Sequence, residues 1–219
     1  MGEPRLAMKP VDASRNVETI TENGGRAEFA NSWSPDGKVI VYTVEDRKTE
    51  TNASRVPMSL WTVTLGSKPE SRLWLGGDFR NFAAAFSPDG RSIAYVSDES
   101  GQREVYLRPY PGPGSRIKVS TNGGEEPAWS RGGRELFYRA SDQFFSVELS
   151  TDPEPVPGTP RVLFAGPFNR GGREDSPREY DVSADGSEFI AIQSQQTPEV
   201  TRQLIVLTGL FGPDWTGAR

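Results

Sequence analysis

The chain predicts an all-β fold, a β-propeller of four-stranded antiparallel blades. Three observations carry this expectation. A turn phrase recurs four times: Ser34-Pro35-Asp36-Gly37, Ser87-Pro88-Asp89-Gly90, Ser130-Arg131-Gly132-Gly133 and Ser183-Ala184-Asp185-Gly186. The serines stand 53, 43 and 53 residues apart, and a period of about 40–50 residues built from short strands is the mark of propeller blades. The composition, with 23 Gly, 18 Pro and only 34% hydrophobic residues, suits a turn-rich β protein whose core is divided into thin layers between repeats.

Each repeat divides into strands A to D, numbered from the axis outward. A large residue (Trp33, Phe86, Trp129 or Val182) ends strand A just before the Ser, giving Ala30–Ser34, Ala83–Ser87, Glu126–Ser130 and Glu179–Ser183. The Pro-Asp-Gly turn follows, since Pro presets φ and Gly accepts a positive φ. The chain returns as strand B, where apolar residues alternate: Lys38–Val44, Arg91–Ser97, Arg134–Ala140 and Ser187–Gln193. Strand C is expected at Ser59–Leu65, Arg103–Arg108, Gln143–Leu149 and Arg202–Thr208, and strand D at Glu70–Leu75, Ser115–Ser120 and Pro160–Ala165. Gly pairs at 24–25, 76–77, 123–124 and 171–172 mark the sharp passage from D to the next A.

The ends shape the expected architecture. Arg5–Val11 and Asn16–Thr21 read as a C and a D strand ahead of the first full blade, while the last repeat offers A, B and C. The predicted organisation is therefore a partial blade over residues 1–22, blade 1 over 23–76, blade 2 over 77–121, blade 3 over 122–166, blade 4 without its D strand over 167–210, and a tail over 211–219. This reads as a partial ring of about four blades, an arc with open edges able to self-associate.

Composition narrows the chemistry. With neither Cys nor His, the chain can build no disulfide, no Cys/His zinc site and no Ser-His-Asp or Cys-His apparatus of its own. The net charge of −5 argues against a nucleic-acid partner, which needs a basic face. No run of 18 apolar residues is present, so no membrane-inserting helix is expected, and residues 1–10 carry no signal-peptide run.

Asp36, Asp89 and Asp185 invite a metal or acid–base role, but each precedes Gly in a turn where its carboxylate can accept a backbone N–H. Glu125, Glu126 and Glu135 could form a cation site, yet Glu125 and Glu126 enter a strand and so point to opposite faces. Trp33, Phe86 and Trp129, at equivalent positions, read as packing between blades, as do Trp61 and Phe145 on strand C. Neither a cofactor nor a catalytic residue is expected.

Phe86-Ser87-Pro88-Asp89-Gly90 through Tyr95 resembles the repeats of TolB-type, WD40-like β-propellers. The stretch from there through Val105-Tyr106-Leu107-Arg108-Pro109-Tyr110-Pro111-Gly112 and Ser120-Thr121-Asn122-Gly123-Gly124 to Trp129-Ser130 is similar to the C-terminal propeller of many bacterial Ser/Thr protein kinases. The resemblance covers roughly residues 5–210. It implies a six- to seven-bladed parent, a protein-interaction or sensing role, and a periplasmic or other extracytoplasmic setting. It also leaves open an accessory segment of a larger enzyme, a Ser/Thr kinase or a prolyl-oligopeptidase-like hydrolase, because one fold serves many proteins.

The expected function is non-catalytic binding of a protein or peptide. In a propeller the B–C and D–A connections open on one face, and the two long insertions, Glu45–Met58 and Gly166–Arg178, both fall there. Loops on a rigid scaffold are where recognition concentrates. The candidate recognition residues are Arg47, Lys48, Glu50 and Arg55 on the first insertion, and Arg170, Arg173, Glu174 and Arg178 on the second; the alternative for this charged set is a solvated loop.

Overall fold

The computed structural model describes residues 4–22, 24–45, 56–150, 155–168, 178–183 and 186–192. Within them the chain is all-β. Strands β1 (Ala7–Met8) and β2 (Glu18–Thr19) form a short antiparallel pair. A four-stranded sheet follows in the order β3 (Ala27–Trp33), β4 (Val39–Glu45), β5 (Met58–Thr64), β6 (Glu70–Leu75). The next blade repeats the pattern with β7 (Asn81–Phe86), β8 (Ser92–Ser97), β9 (Glu104–Pro109) and β10 (Ile117–Lys118). The third is built from β11 (Glu125–Trp129), β12 (Glu135–Ala140), β13 (Gln143–Ser150) and β15 (Arg161–Ala165), with β14 (Val156–Pro157) pairing the far end of β13. The hairpin β16 (Tyr180–Val182) and β17 (Phe189–Ala191) begins a fourth. The C strand expected at Arg202–Thr208 lies outside the described residues.

The recurring serine explains why each hairpin forms where it does. The Ser34 N–H donates to the Val39 carbonyl at 2.7 Å, and the Ser34 Oγ accepts the Val39 N–H at 2.9 Å. The same Oγ–N–H bond joins Ser87 to Ser92 (2.9 Å), Ser130 to Glu135 (3.1 Å) and Ser183 to Glu188 (2.9 Å). Gly37, Gly90, Gly133 and Gly186 sit at φ of 71°, 70°, 68° and 76°, in the left-handed region that only Gly enters without strain. In the first two turns the Asp accepts from its Ser hydroxyl and from a backbone N–H, at 2.7 and 3.1 Å for Asp36 and 2.6 and 3.0 Å for Asp89. The hydroxyl of Ser34, followed by the Lys38 N–H, holds Asp36 below the ordinary carboxylate range. These aspartates fasten turns.

Blades cohere through apolar layers, because the central strands of the three full sheets are buried on both faces. In β4, Ile40, Tyr42 and Val44 join Leu6 and Ile20 on one side, while Val41 on the other meets Phe86, Ile93 and Tyr95 of the next blade. Val96 and Leu107 then pack with Leu136, Tyr138 and Val147. The last layer is aromatic: Phe144 lies 4.7 Å from Phe164 and 5.0 Å from Tyr180 by ring centroids. Trp129 fits the expected interface, half-buried and donating from Nε1 to the Ala85 carbonyl of the preceding blade at 3.1 Å.

Trp33 corrects the expectation of equivalence. It is 51% exposed and donates to Gly37 O in its own turn. Phe86 and Trp129 each have a full blade in front of them. Ahead of Trp33 stand only the two-residue strands β1 and β2, and a hollow of about 350 Å³ opens between them and β3.

Blade 2 holds a buried charge. Glu104 is fully enclosed, and its carboxylate accepts from Ser120 Oγ, Gln102 Nε2 (2.7 Å), Lys118 Nζ (2.8 Å) and Gly123 N (3.2 Å). Burial pushes its pKa up, but these four donors together outweigh burial and leave it below the ordinary 4.5. Lys118 is raised in turn by its bond to Glu104. A carboxylate lowered in the fold adds stability above its unfolded value and loses it as pH falls through its folded one. Glu104→Gln is expected to cost about 2 kcal/mol at pH 7, with the gap to the parent protein narrowing on acidification; urea unfolding at neutral and acid pH measures both.

Tyr42, Tyr95 and Tyr138 occupy equivalent places in their B strands and are all buried. The Tyr42 hydroxyl bonds Ser71, whereas those of Tyr95 and Tyr138 have no hydrogen-bond partner among the described residues. Burial raises all three, Tyr138 to about 12. An orphaned buried hydroxyl carries its desolvation cost uncompensated. Tyr95→Phe and Tyr138→Phe are therefore expected to hold or raise stability by up to about 1 kcal/mol, and Tyr42→Phe to lower it by a similar amount, in the same unfolding assay.

Candidate functional site

The innermost strands β3, β7, β11 and β16 surround a hollow of about 770 Å³. Its wall is shaped by bulges. Pairing slips between Ala30 and Ser32 in β3, between Phe82 and Ala85 in β7, and between Glu125 and Ala128 in β11. Ala83 and Glu126, each four residues before its turn serine, hold φ of +51° and +56°. A non-Gly residue in this region is uncommon, and bulges of this kind re-aim side chains near a site. Sequence reading missed them, since neither Ala83 nor Glu126 is a residue type that marks such a conformation.

Glu126 is the pivot of the far wall. Its Oε2 accepts the Glu179 N–H at 3.3 Å, its carbonyl accepts the Tyr180 hydroxyl at 2.7 Å, and Arg139 Nη1 lies 4.0 Å from Oε1. Burial raises its pKa, opposed by the Glu179 N–H and by Arg139. Glu125, one residue earlier, turns the other way to meet Arg103 at 2.6 Å. Glu135 accepts from Ser146 Oγ at 2.5 Å on a different strand. The three glutamates considered as a cation set thus go to three separate partners.

Arg178 stands at the mouth of the hollow. Its Nε donates to Tyr180 O at 2.8 Å and its Nη2 pairs with Asp181 at 2.6 Å. Glu28 lines the opposite wall, buried, accepting from Thr21 Oγ1 and from Leu6 N at 3.3 Å. Arg139, buried, donates to Phe168 O at 3.0 Å and Ser141 O at 3.2 Å, which anchors the start of the D–A insertion. Of the recognition residues expected from sequence, Arg178 takes its place here; Arg47, Lys48, Glu50, Arg55, Arg170, Arg173 and Glu174 lie outside the described residues. Strand register shows why both insertions leave from one end: Glu45 pairs with Ala27 and with Met58, and Arg80 bridges to Met58. Among the described residues no cluster of acidic side chains could hold a metal ion, and no helix is long and apolar enough to cross a membrane.

No family model matches the chain, and no curated protein matches it. Solved structures do. TolB from Acinetobacter baumannii superposes with a TM-score of 0.61 at 17% identity, over 89% of this chain and 44% of that one. An oligogalacturonate lyase from Vibrio parahaemolyticus gives 0.61 at 11%, over 87% and 53%, and an oligogalacturonate lyase in complex with manganese gives 0.60 at 14%, over 87% and 53%. The chain spans about half the length of the solved structures it matches.

Glu126 supplies a test of the wall. A carboxyl raised in the fold favours folding most at low pH, and that contribution disappears as pH rises through its folded value. Glu126→Gln keeps an acceptor for the Glu179 N–H and removes the buried charge. Its melting temperature is expected to match the parent protein at acid pH and to exceed it by a few degrees at neutral pH; a fall at neutral pH would mean that the Arg139 pairing outweighs burial. The blades, their order and their likeness to these structures make the fold that of a β-propeller, as in TolB and the oligogalacturonate lyases.

Proposed function

We propose that this protein is a non-catalytic propeller module that binds a protein or peptide segment on the face where the B–C and D–A connections open. The observation that carries the reading is the axial hollow, whose mouth holds Arg178 and Asp181 and whose walls hold Glu28 and Glu126. Three carboxylates against one guanidinium favour a segment bearing a positive charge, and the bulged alanines Ala83–Ala85 leave room for it to approach the backbone. The two long insertions, with Arg47, Lys48, Glu50 and Arg55 on one and Arg170, Arg173 and Glu174 on the other, would flank that mouth and select among segments.

A second reading has a specific support: two of the similar structures are oligogalacturonate lyases, so the same fold also serves catalysis. In that reading the chain is a propeller segment of a larger enzyme whose reactive groups lie elsewhere.

Selection from a displayed random-peptide library separates the two. The protein is expected to enrich basic peptides. Removal of residues 48–55, or Asp181→Lys, is expected to reduce their capture at least several-fold while leaving the melting temperature within a few degrees. Equal capture by the parent protein and both variants would overturn the assignment of the face, and failure to enrich any peptide would leave the accessory reading as the better one.

A further inference from the structure

The third turn departs from the others in one way that creates a vacancy. In the first two, an Asp carboxylate oxygen receives both the Ser hydroxyl and a backbone N–H two residues on, from Lys38 or Arg91. The third keeps the backbone geometry: Ser130 N donates to Glu135 O at 2.9 Å, Gly133 N to Ser130 O at 3.0 Å, and Glu135 N to Ser130 Oγ at 3.1 Å. Gly132, however, replaces the Asp. Among the described residues, the Ser130 hydroxyl proton and the Arg134 N–H have no acceptor, and nothing lies within 4 Å of where a side chain on Gly132 would begin. Two donors that meet one oxygen in the neighbouring blades here meet open space.

The surroundings have changed with the loss. Arg131 stands where the other two turns have Pro, and Arg134 follows. With Arg161 they line an open hollow of about 520 Å³ beside the turn. Neither Arg131 nor Arg134 forms an ion pair among the described residues. Glu135 in the same hollow is already engaged by Ser146 and, at 3.9 Å, by Arg161. Glu148, the other acid there, is exposed. Two exposed arginines thus line the hollow beside the place where the other turns hold a carboxylate oxygen, and guanidinium–carboxylate bonds are among the stronger hydrogen bonds available to a surface.

We propose that this hollow binds a carboxylate supplied from outside the chain, with one oxygen seated on Ser130 Oγ–H and Arg134 N–H as Asp36 is seated on Ser34 and Lys38, and the other held by Arg131 or Arg134. A carboxylate is favoured over other anions because that is the group which fills this seat in the adjacent blades. The site lies on the A–B turn face, opposite the proposed peptide-binding face, and stands independently of that function. A small organic acid and an acidic side chain of another protein offer the same chemistry.

Titration of the full-length, isotope-labelled protein tests it through the Arg134 amide resonance. Acetate is expected to move that resonance downfield in a saturable manner, and chloride at matched ionic strength is not. Arg131→Ala is expected to weaken the response about threefold. Gly132→Asp, which supplies the carboxylate internally, is expected to place the Arg134 amide at the acetate-saturated position, abolish the response to acetate and leave the fold intact; Gly132→Ala, adding a side chain without an oxygen, keeps the response. An acetyl-Gly-Asp-Gly-amide peptide binding more tightly than acetate would mark a protein side chain as the ligand, and weaker binding a small acid. An unmoved Arg134 resonance, an equal effect of chloride or phosphate, or a Gly132→Asp protein that still responds like the parent would overturn the proposal.

Discussion

The structure depends on one small knot of hydrogen bonds, the serine hydroxyl that accepts the first N–H of the returning strand. It recurs at Ser34, Ser87, Ser130 and Ser183. By closing the A–B hairpin at a fixed residue it sets the register of strand B. A one-residue slip in a strand exchanges its two faces. The B strands β4, β8 and β12 have both faces covered, so a slip in any of them would misplace the apolar layers on each side at once.

Those layers are where the blades hold one another. The first two mix aliphatic side chains with tyrosines and a few other rings, and the last is built mainly of aromatic rings around Phe144. Edge-to-face ring pairs add a directional term to plain burial, which suits a layer whose outer member, β16 and β17, has only three residues in each strand. Polar bonds then cross the layers near the axis: Trp129 to Ala85, the Phe86 N–H to Ser32, and Tyr180 to Glu126. Apolar contact supplies the bulk of the cohesion, and these bonds orient it.

Much of this was legible because period-2 patterning and turn chemistry are local. The D strand Glu70–Leu75 falls where it was expected, and other strands differ by a few residues at their ends. What depends on neighbours was not legible. Trp33 looks like Trp129 in sequence, yet differs because a full blade stands before one and a two-residue pair before the other. Glu104 reads as an ordinary polar position on a C strand until Ser120, Lys118 and Gly123 converge on it from a later strand and turn. Of the residues that line the hollow, Arg178 stood out in the sequence as a charged residue at the end of an insertion, while Glu126 was seen as an acid and not as a bulge, because its conformation is imposed by the strand beside it.

The turn glycines have one further effect. A side chain placed on Gly90 would meet Pro35 of the blade before it at 3.4 Å, and one on Gly133 would meet Pro88 at 3.5 Å. Blade 2 therefore offers a proline knob forward and a glycine socket backward, and the same contact joins it to the blade on either side. Such a repeat can be duplicated or deleted during evolution and its neighbours still mate. Blade 3 breaks the series: it receives Pro88 but presents Arg131, and Gly186 of the following blade faces Phe137 instead, at 3.8 Å. The glycine–proline contact is thus shared by the first two junctions, and the third junction is built differently.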